Sequence, residues 1–124
     1  MIKLTKENLS EFIEYYHRFH DSYITNINYS VAKSEIELLI DVYWSGEPIL
    51  KEDGYYETNK TKMKILFKGI EKYNNKEICS WDYITCAFIK YIKINNKEFI
   101  CFASDETNPS IYIVCESIEY EEVK

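Results

Sequence analysis

His17 and His20 are the only histidines in the chain, and they stand three residues apart, with Glu14 three residues upstream and Asp21 next in line. Residues three apart share a helix face. Glu14, His17, His20 and Asp21 could therefore offer two nitrogens and carboxylate oxygens to a divalent metal. The spacing is not that of His-Glu-x-x-His, and no third imidazole completes a catalytic set. A structural role accounts for the same residues. An imidazolium near a helix C-terminus is favoured by the helix dipole, and an aspartate in the following turn can accept hydrogen bonds from backbone amides. Nucleophilic catalysis needs a serine or cysteine beside the imidazole, and no pattern sets Cys79 or Ser80 there. With glycine only at positions 46, 54 and 69, there is no phosphate-cradling loop. The chain is thus read as non-enzymatic, with no catalytic residue and no cofactor. A metal or small-molecule site at the end of the first helix stays an alternative.

The stretch Gly46 to Lys60 holds a different kind of chemistry. Glu47, Glu52, Asp53 and Glu57 flank Tyr55 and Tyr56. An exposed acidic and aromatic loop of this kind suits a protein-binding surface for a basic partner. The competing reading is a solvated connection whose tyrosines fold back on the sheet. Lys60, Lys62, Lys64 and Lys68 form a basic stripe, but Glu35, Glu37 and Asp41 alternate on the preceding strand. Antiparallel pairing would set acids against lysines across the ladder, at roughly 0.2–1 kcal/mol per pair. A charge-paired outer face explains the stripe without a ligand.

The whole composition narrows the classes further. The 124 residues carry 21 acidic and 15 basic side chains, a net charge of −6. A nucleic-acid partner, which wants clustered Lys and Arg, is not expected. Apolar residues are 46% of the chain, enough for one domain of this size to bury roughly two-thirds of its unfolded surface without metal or disulfide. No apolar run is long enough to span a bilayer, and since Met1 to Leu4 read as leading straight into a helix start, no signal peptide is expected. Cys79, Cys86, Cys101 and Cys115 form no Cys-x-x-Cys pair, so reduced thiols in a cytoplasmic protein are expected. Twelve tyrosines suit recognition, although a chain rich in Ile, Lys and Asn shares the bias of AT-rich codons.

The elements that must position these groups read as follows. A helix is expected from Lys6 to Arg18, with Thr5 as N-cap, Leu4 and Leu9 as a hydrophobic staple, and Leu9, Phe12, Ile13 and Tyr16 as one apolar stripe. Strands follow: Ser22 to Val31 with a bulge between Ile24 and Ile27, Glu35 to Trp44, Lys62 to Lys72, Cys86 to Ile94, Glu98 to Ala103 and Ile111 to Ile118. Asp53-Gly54 marks a hairpin turn or the tip of a long loop, Asn74-Asn75 a turn, and Asn95-Asn96 a tight hairpin. Ser80 to Ile84 fits a helical turn or a strand start, and Glu119 to Lys124 reads as an acidic end. The expected fold class is α+β, one domain over 1–124, with an N-terminal amphipathic helix packed on a mostly antiparallel sheet of about six strands.

A short amphipathic helix, then Phe19-His20-Asp21, a clean amphipathic strand, Lys64-Ile-Leu-Phe-Lys-Gly69-Ile70, and a closing Ile-x-Ile strand at Ile111 to Ile118 form a sequence of features. It resembles small bacterial proteins of unknown function, some grouped with immunity proteins of polymorphic toxin systems. The resemblance implies a cytosolic, non-enzymatic α+β protein and, for immunity members, one that binds and blocks a toxin. It carries over no catalytic residue. His20 and Asp21 match the family's turn. A third possibility is a homo-oligomer that buries Tyr29, Leu39 and Tyr43 between copies.

Overall fold

The computed structural model describes residues 1–124 except 77–81, 85, 86, 108 and 124. Cys79, Ser80 and Cys86 lie outside the described residues. Among the described residues, ten strands and one short helix run in the order β1 (Ile2–Lys3), α1 (Leu9–Tyr15), a 3-10 turn (His17–Phe19), β2 (Ser22–Ser30), β3 (Glu35–Val42), β4 (Ile49–Leu50), β5 (Tyr56–Glu57), β6 (Thr61–Asn75), β7 (Asp82–Ile84), β8 (Phe88–Ile94), β9 (Lys97–Ala103) and β10 (Ile111–Val123). The main sheet is ordered β7-β2-β3-β6-β10-β9-β8, and β4 and β5 form a separate two-stranded hairpin. Every pairing is antiparallel. The architecture is mostly β, an antiparallel sheet with one short helix, rather than a balanced α+β packing.

Chain connectivity bends this sheet. β7 and β8 are its two opposite edges, yet only residues 85–87 separate them in sequence. Four residue steps reach about 14 Å at most. Six strand spacings across a flat sheet would put the edges about 29 Å apart. The sheet must therefore curl until its edges nearly meet. The core agrees: Ile84 from one edge and Ile89 from the other belong to a single buried cluster with Ile36, Leu38, Met63, Phe67, Phe102 and Ile113. Helix α1 supplies Phe12 to that cluster, and the turn after it supplies Phe19. A smaller cluster of Phe99, Cys101 and Val114 lies apart from the main core.

The strict alternation of β3 and β6 is realised as expected, with Ile36, Leu38, Ile40 and Val42, and Met63, Ile65 and Phe67, all buried. Trp44 lies beyond the end of β3 and is half-buried. The bulge in β2 falls between Ile24 and Asn26. Asn95 and Asn96 both take positive φ, 51° and 67°, in the two-residue hairpin expected there.

Other expectations are corrected. The helix is seven residues long, not thirteen. A turn precedes it in which Thr5 and Asn8 exchange hydrogen bonds: the Thr5 amide donates to Asn8 Oδ1 at 2.7 Å, and the Asn8 amide donates to Thr5 Oγ1 at 3.3 Å. The helix N-cap is therefore Asn8 rather than Thr5, and the Thr5 hydroxyl holds the turn that leads into the helix. Residues Ile2 and Lys3 form a strand against Tyr120 and Glu119. Asn74-Asn75 is no turn, because both residues pair with Tyr112 and Ile111 of β10. The acidic end is strand too. Glu119 and Glu121 of β10 meet the lysine stripe of β6, with Lys68 to Glu119 at 3.0 Å and Lys64 to Glu121 at 4.0 Å. Lys64 also lies 3.8 Å from Glu37 of β3. Lys64 is thus charge-paired from both sides and Lys68 from β10, where the sequence pointed to β3 alone.

Between Val114 and Cys115 the register slips by one residue, and nearby Gly69 takes φ +69°. A Cβ at Gly69 would sit 2.7 Å from the Glu116 side chain, and its amide donates to Ser34 O at 3.0 Å. Left-handed backbone costs a non-glycine residue roughly 1–2 kcal/mol. Gly69→Ala is therefore expected to destabilise the fold by at least about 1 kcal/mol in urea unfolding. Adding Glu116→Ala should recover only the steric part of that loss. Full recovery in the double variant would show that the backbone conformation contributes nothing.

Candidate functional site

Helix α1 ends abruptly because the backbone turns left-handed. His17, Arg18, Phe19 and Asp21 have φ of 51°, 55°, 55° and 62°. Such values are uncommon outside glycine and persist only where surrounding contacts hold them. Here those contacts are specific. Phe19 is buried and meets Phe12 edge-on at 5.6 Å. The Ala87 amide, beside the sheet edge β8, donates to Arg18 O at 2.7 Å, and the Arg18 guanidinium pairs with Glu106. Trp44 Nε1 donates to Asp21 Oδ2 at 3.3 Å.

The same turn clamps the start of the segment after β3. His17 Nε2 donates to Gly46 O at 2.6 Å, and the Gly46 amide donates to Tyr15 O at 2.8 Å. Further along, Ser45 Oγ donates to Asn59 O at 2.9 Å, and Asn59 Nδ2 to Glu47 O at 3.3 Å. Both ends of the segment are thus tied down. What lies between is the β4–β5 hairpin, turning at Asp53-Gly54 with Gly54 at φ +86°. Asp53 Oδ1 accepts from the Tyr55 amide at 3.0 Å, so this acid shapes the turn.

The hairpin holds its side chains out to solvent. Ile49 is 51% exposed, Leu50 62%, Tyr55 74% and Tyr56 61%. The tyrosines do not fold back on the sheet. Glu47, Glu52, Asp53 and Glu57 are exposed, so five of the six sequence-selected residues of this segment lie on the hairpin and Glu47 lies just before it. Ile49 and Leu50 escaped the sequence reading. Two adjacent apolar residues after Pro48 in an otherwise polar stretch were the available signal.

At the hairpin's base lies a groove of about 590 Å³, walled by α1 on one side and Gly46 to Pro48 on the other, with Tyr120 of β10 also lining it. Tyr16 Oη donates to Glu122 Oε1 at 2.9 Å. Burial, with that hydrogen bond and the carboxylate charge, pushes the Tyr16 phenol well above its usual range. Burial and the charges of Glu122 and Glu11 raise the Tyr120 phenol in the same direction. Both phenols stay neutral at physiological pH.

The helix-end cluster is not drawn together as a metal site. Glu14 is exposed, His17 is engaged with Gly46 O, and His20 Nε2 lies 3.4 Å from Asp21 Oδ2. Among the described residues no three His, Cys, Asp or Glu side chains are grouped to hold a metal ion. Nor, among them, is any helix long and apolar enough to cross a membrane. Tyr29 and Tyr43 are part-exposed, but Tyr29 packs edge-on against Tyr73 at 5.2 Å and Tyr43 lies under Lys60 Nζ at 5.0 Å. No protein-family model matches the chain, and no curated protein matches it.

Two measurements test this geometry. His17→Ala should speed hydrogen exchange at the Gly46 amide roughly fivefold, the equivalent of about 1 kcal/mol for one lost hydrogen bond. Unchanged protection would mean that the imidazole does not hold the segment. Burial pushes the Cys115 thiol up to about 12, and burial also raises Cys101. Brief alkylation of the native protein should leave both unmodified by peptide mass mapping, with labelling only after denaturation.

Proposed function

We propose that this chain is a non-enzymatic, cytoplasmic protein-binding domain that engages a basic partner through the β4–β5 hairpin. One observation carries the reading: four large apolar side chains stand exposed together on a hairpin anchored at both ends and rimmed by acids. Exposing them costs the free protein solvation free energy, and fully burying one such side chain returns roughly 1.5–3 kcal/mol. Tyrosine is also enriched among residues that dominate binding energy. The acidic rim would steer a positively charged partner and reject acidic ones.

The particular form we favour is an immunity-type inhibitor of a bacterial toxin. Support for it is the resemblance of the Phe19-His20-Asp21 turn and the Lys64 to Ile70 strand, together with the anchored hairpin. The homo-oligomer alternative has less to support it, since Tyr29 and Tyr43 are engaged within the chain.

The test is co-expression of the tagged chain with the products of its neighbouring genes, followed by capture at moderate salt. A stoichiometric partner released by high salt is expected. The triple variant Leu50→Ser, Tyr55→Ser, Tyr56→Ser should weaken that capture at least tenfold. Its stability should stay within about 0.5 kcal/mol of the parent, as for substitutions on an exposed surface. Undiminished capture by the folded triple variant removes the hairpin from the interface.

A further inference from the structure

The groove at the base of the hairpin differs from the rest of the acidic surface. Several acids outside it form ion pairs. Glu98, Glu106, Glu116, Glu119 and Glu121 pair with Lys6, Arg18, Lys97, Lys68 and Lys64. In the groove, Glu11 and Glu14 project from α1 and Glu47 from the facing wall, with no lysine or arginine among the lining residues. None of these three carboxylates forms an ion pair among the described residues.

Aromatic rings stand between the acids. Tyr15 and Tyr16 meet at 4.8 Å with planes 79° apart, and Tyr16 and Tyr120 at 6.3 Å, again 79° apart. Tyr16 is buried and stacks on Phe19 at 6.1 Å, so the rings left to the groove are Tyr15, 51% exposed, and the part-exposed Tyr120. The walls are already fixed, because Gly46 is hydrogen-bonded to both Tyr15 and His17. A ligand entering here meets a prepared cleft and has little ordering of it left to do.

We infer that this groove seats an arginine side chain of the protein partner, between the exposed Tyr15 ring and the carboxylates of Glu11, Glu14 and Glu47. The inference rests on the protein-binding reading and deepens it. A guanidinium is flat, stacks on aromatic faces and can bridge two carboxylates with its forked donors. A lysine ammonium is a compact, strongly hydrated charge that uses the ring faces less well. A metal ion would need the carboxylates to converge on one point, and they do not. Glu47 and Pro48 lead directly into Ile49 of the hairpin, so one partner can fill the groove and cover the hairpin together.

The experiment is a titration of the full chain followed by amide NMR, using N-acetyl-arginine amide as probe. N-acetyl-citrulline amide serves as its neutral isostere and N-acetyl-lysine amide as the alternative cation. The arginine probe should shift the amides of Tyr15, Gly46, Glu47 and Tyr120 saturably, with a Kd on the order of millimolar. Citrulline should not saturate, and lysine should bind at least about threefold more weakly. The double variant Glu11→Gln, Glu47→Gln alters two exposed side chains on opposite walls. It should raise the arginine Kd about fivefold or more while keeping the parent's spectrum elsewhere. Equal response to citrulline, equal or tighter binding of lysine, shifts confined to other surfaces, or an unchanged Kd in the double variant overturns the assignment. The titration needs neither a partner nor the hairpin's apolar residues. Its failure beside hairpin-dependent capture removes only the arginine seat, whereas an arginine seat beside capture indifferent to the hairpin removes only the hairpin interface.

Discussion

Three residues join Ile84, on one edge of the sheet, to Phe88, on the other. A chain that short cannot cross the width of seven flat strands, so much of the remaining structure is a response to it. The sheet curls, and apolar side chains from its two edges enter one core. A helix of two turns then suffices to cover what a flat sheet of this width would leave open. The turn after the helix reaches the sheet edge directly, through Arg18 O and the Ala87 amide.

That turn transmits the constraint to the candidate site. Left-handed backbone at four positions from His17 to Asp21 costs roughly 1–2 kcal/mol per residue. Burial of Phe19 against Phe12 and the hydrogen bonds of the turn offset the cost. In return, His17 is set where its ring holds Gly46, and Asp21 where it accepts from Trp44. Of the residues that first suggested metal chemistry, His17 is thereby engaged in holding the segment that bears the hairpin, and Asp21 in holding Trp44 just before it.

Strand β10 organises the charge. It pairs with β6 along most of its length, with β9 beside its first half and β1 beside its second. Its acids fall among the lysines of β6, so much of the sheet's outer charge is spent on pairing. Among the acids that form no ion pair are those at the hairpin rim and in the groove beneath it. An overall charge of −6 thus says less about binding than where the unpaired carboxylates lie.

What the sequence determined by itself was local. Period-two alternation in Glu35 to Val42 and in Lys62 to Phe67 set which faces are buried, because one face of a strand must leave water. Asn95-Asn96 set a two-residue turn because asparagine tolerates positive φ. Tertiary structure decided the rest. Asn74-Asn75 carries a turn signal but becomes strand because β10 offers it partners, and the acidic end becomes strand because β6 supplies lysines to meet it. The exposure of Ile49 and Leu50, and the meeting of Glu11 and Glu47 across one groove, depend on where a short helix and a distant hairpin base are brought together. Periodicity along a chain reports which side of an element faces inward. It carries no information on which distant element will stand opposite, since that is set by chain closure and by the pairing of strands far apart in sequence.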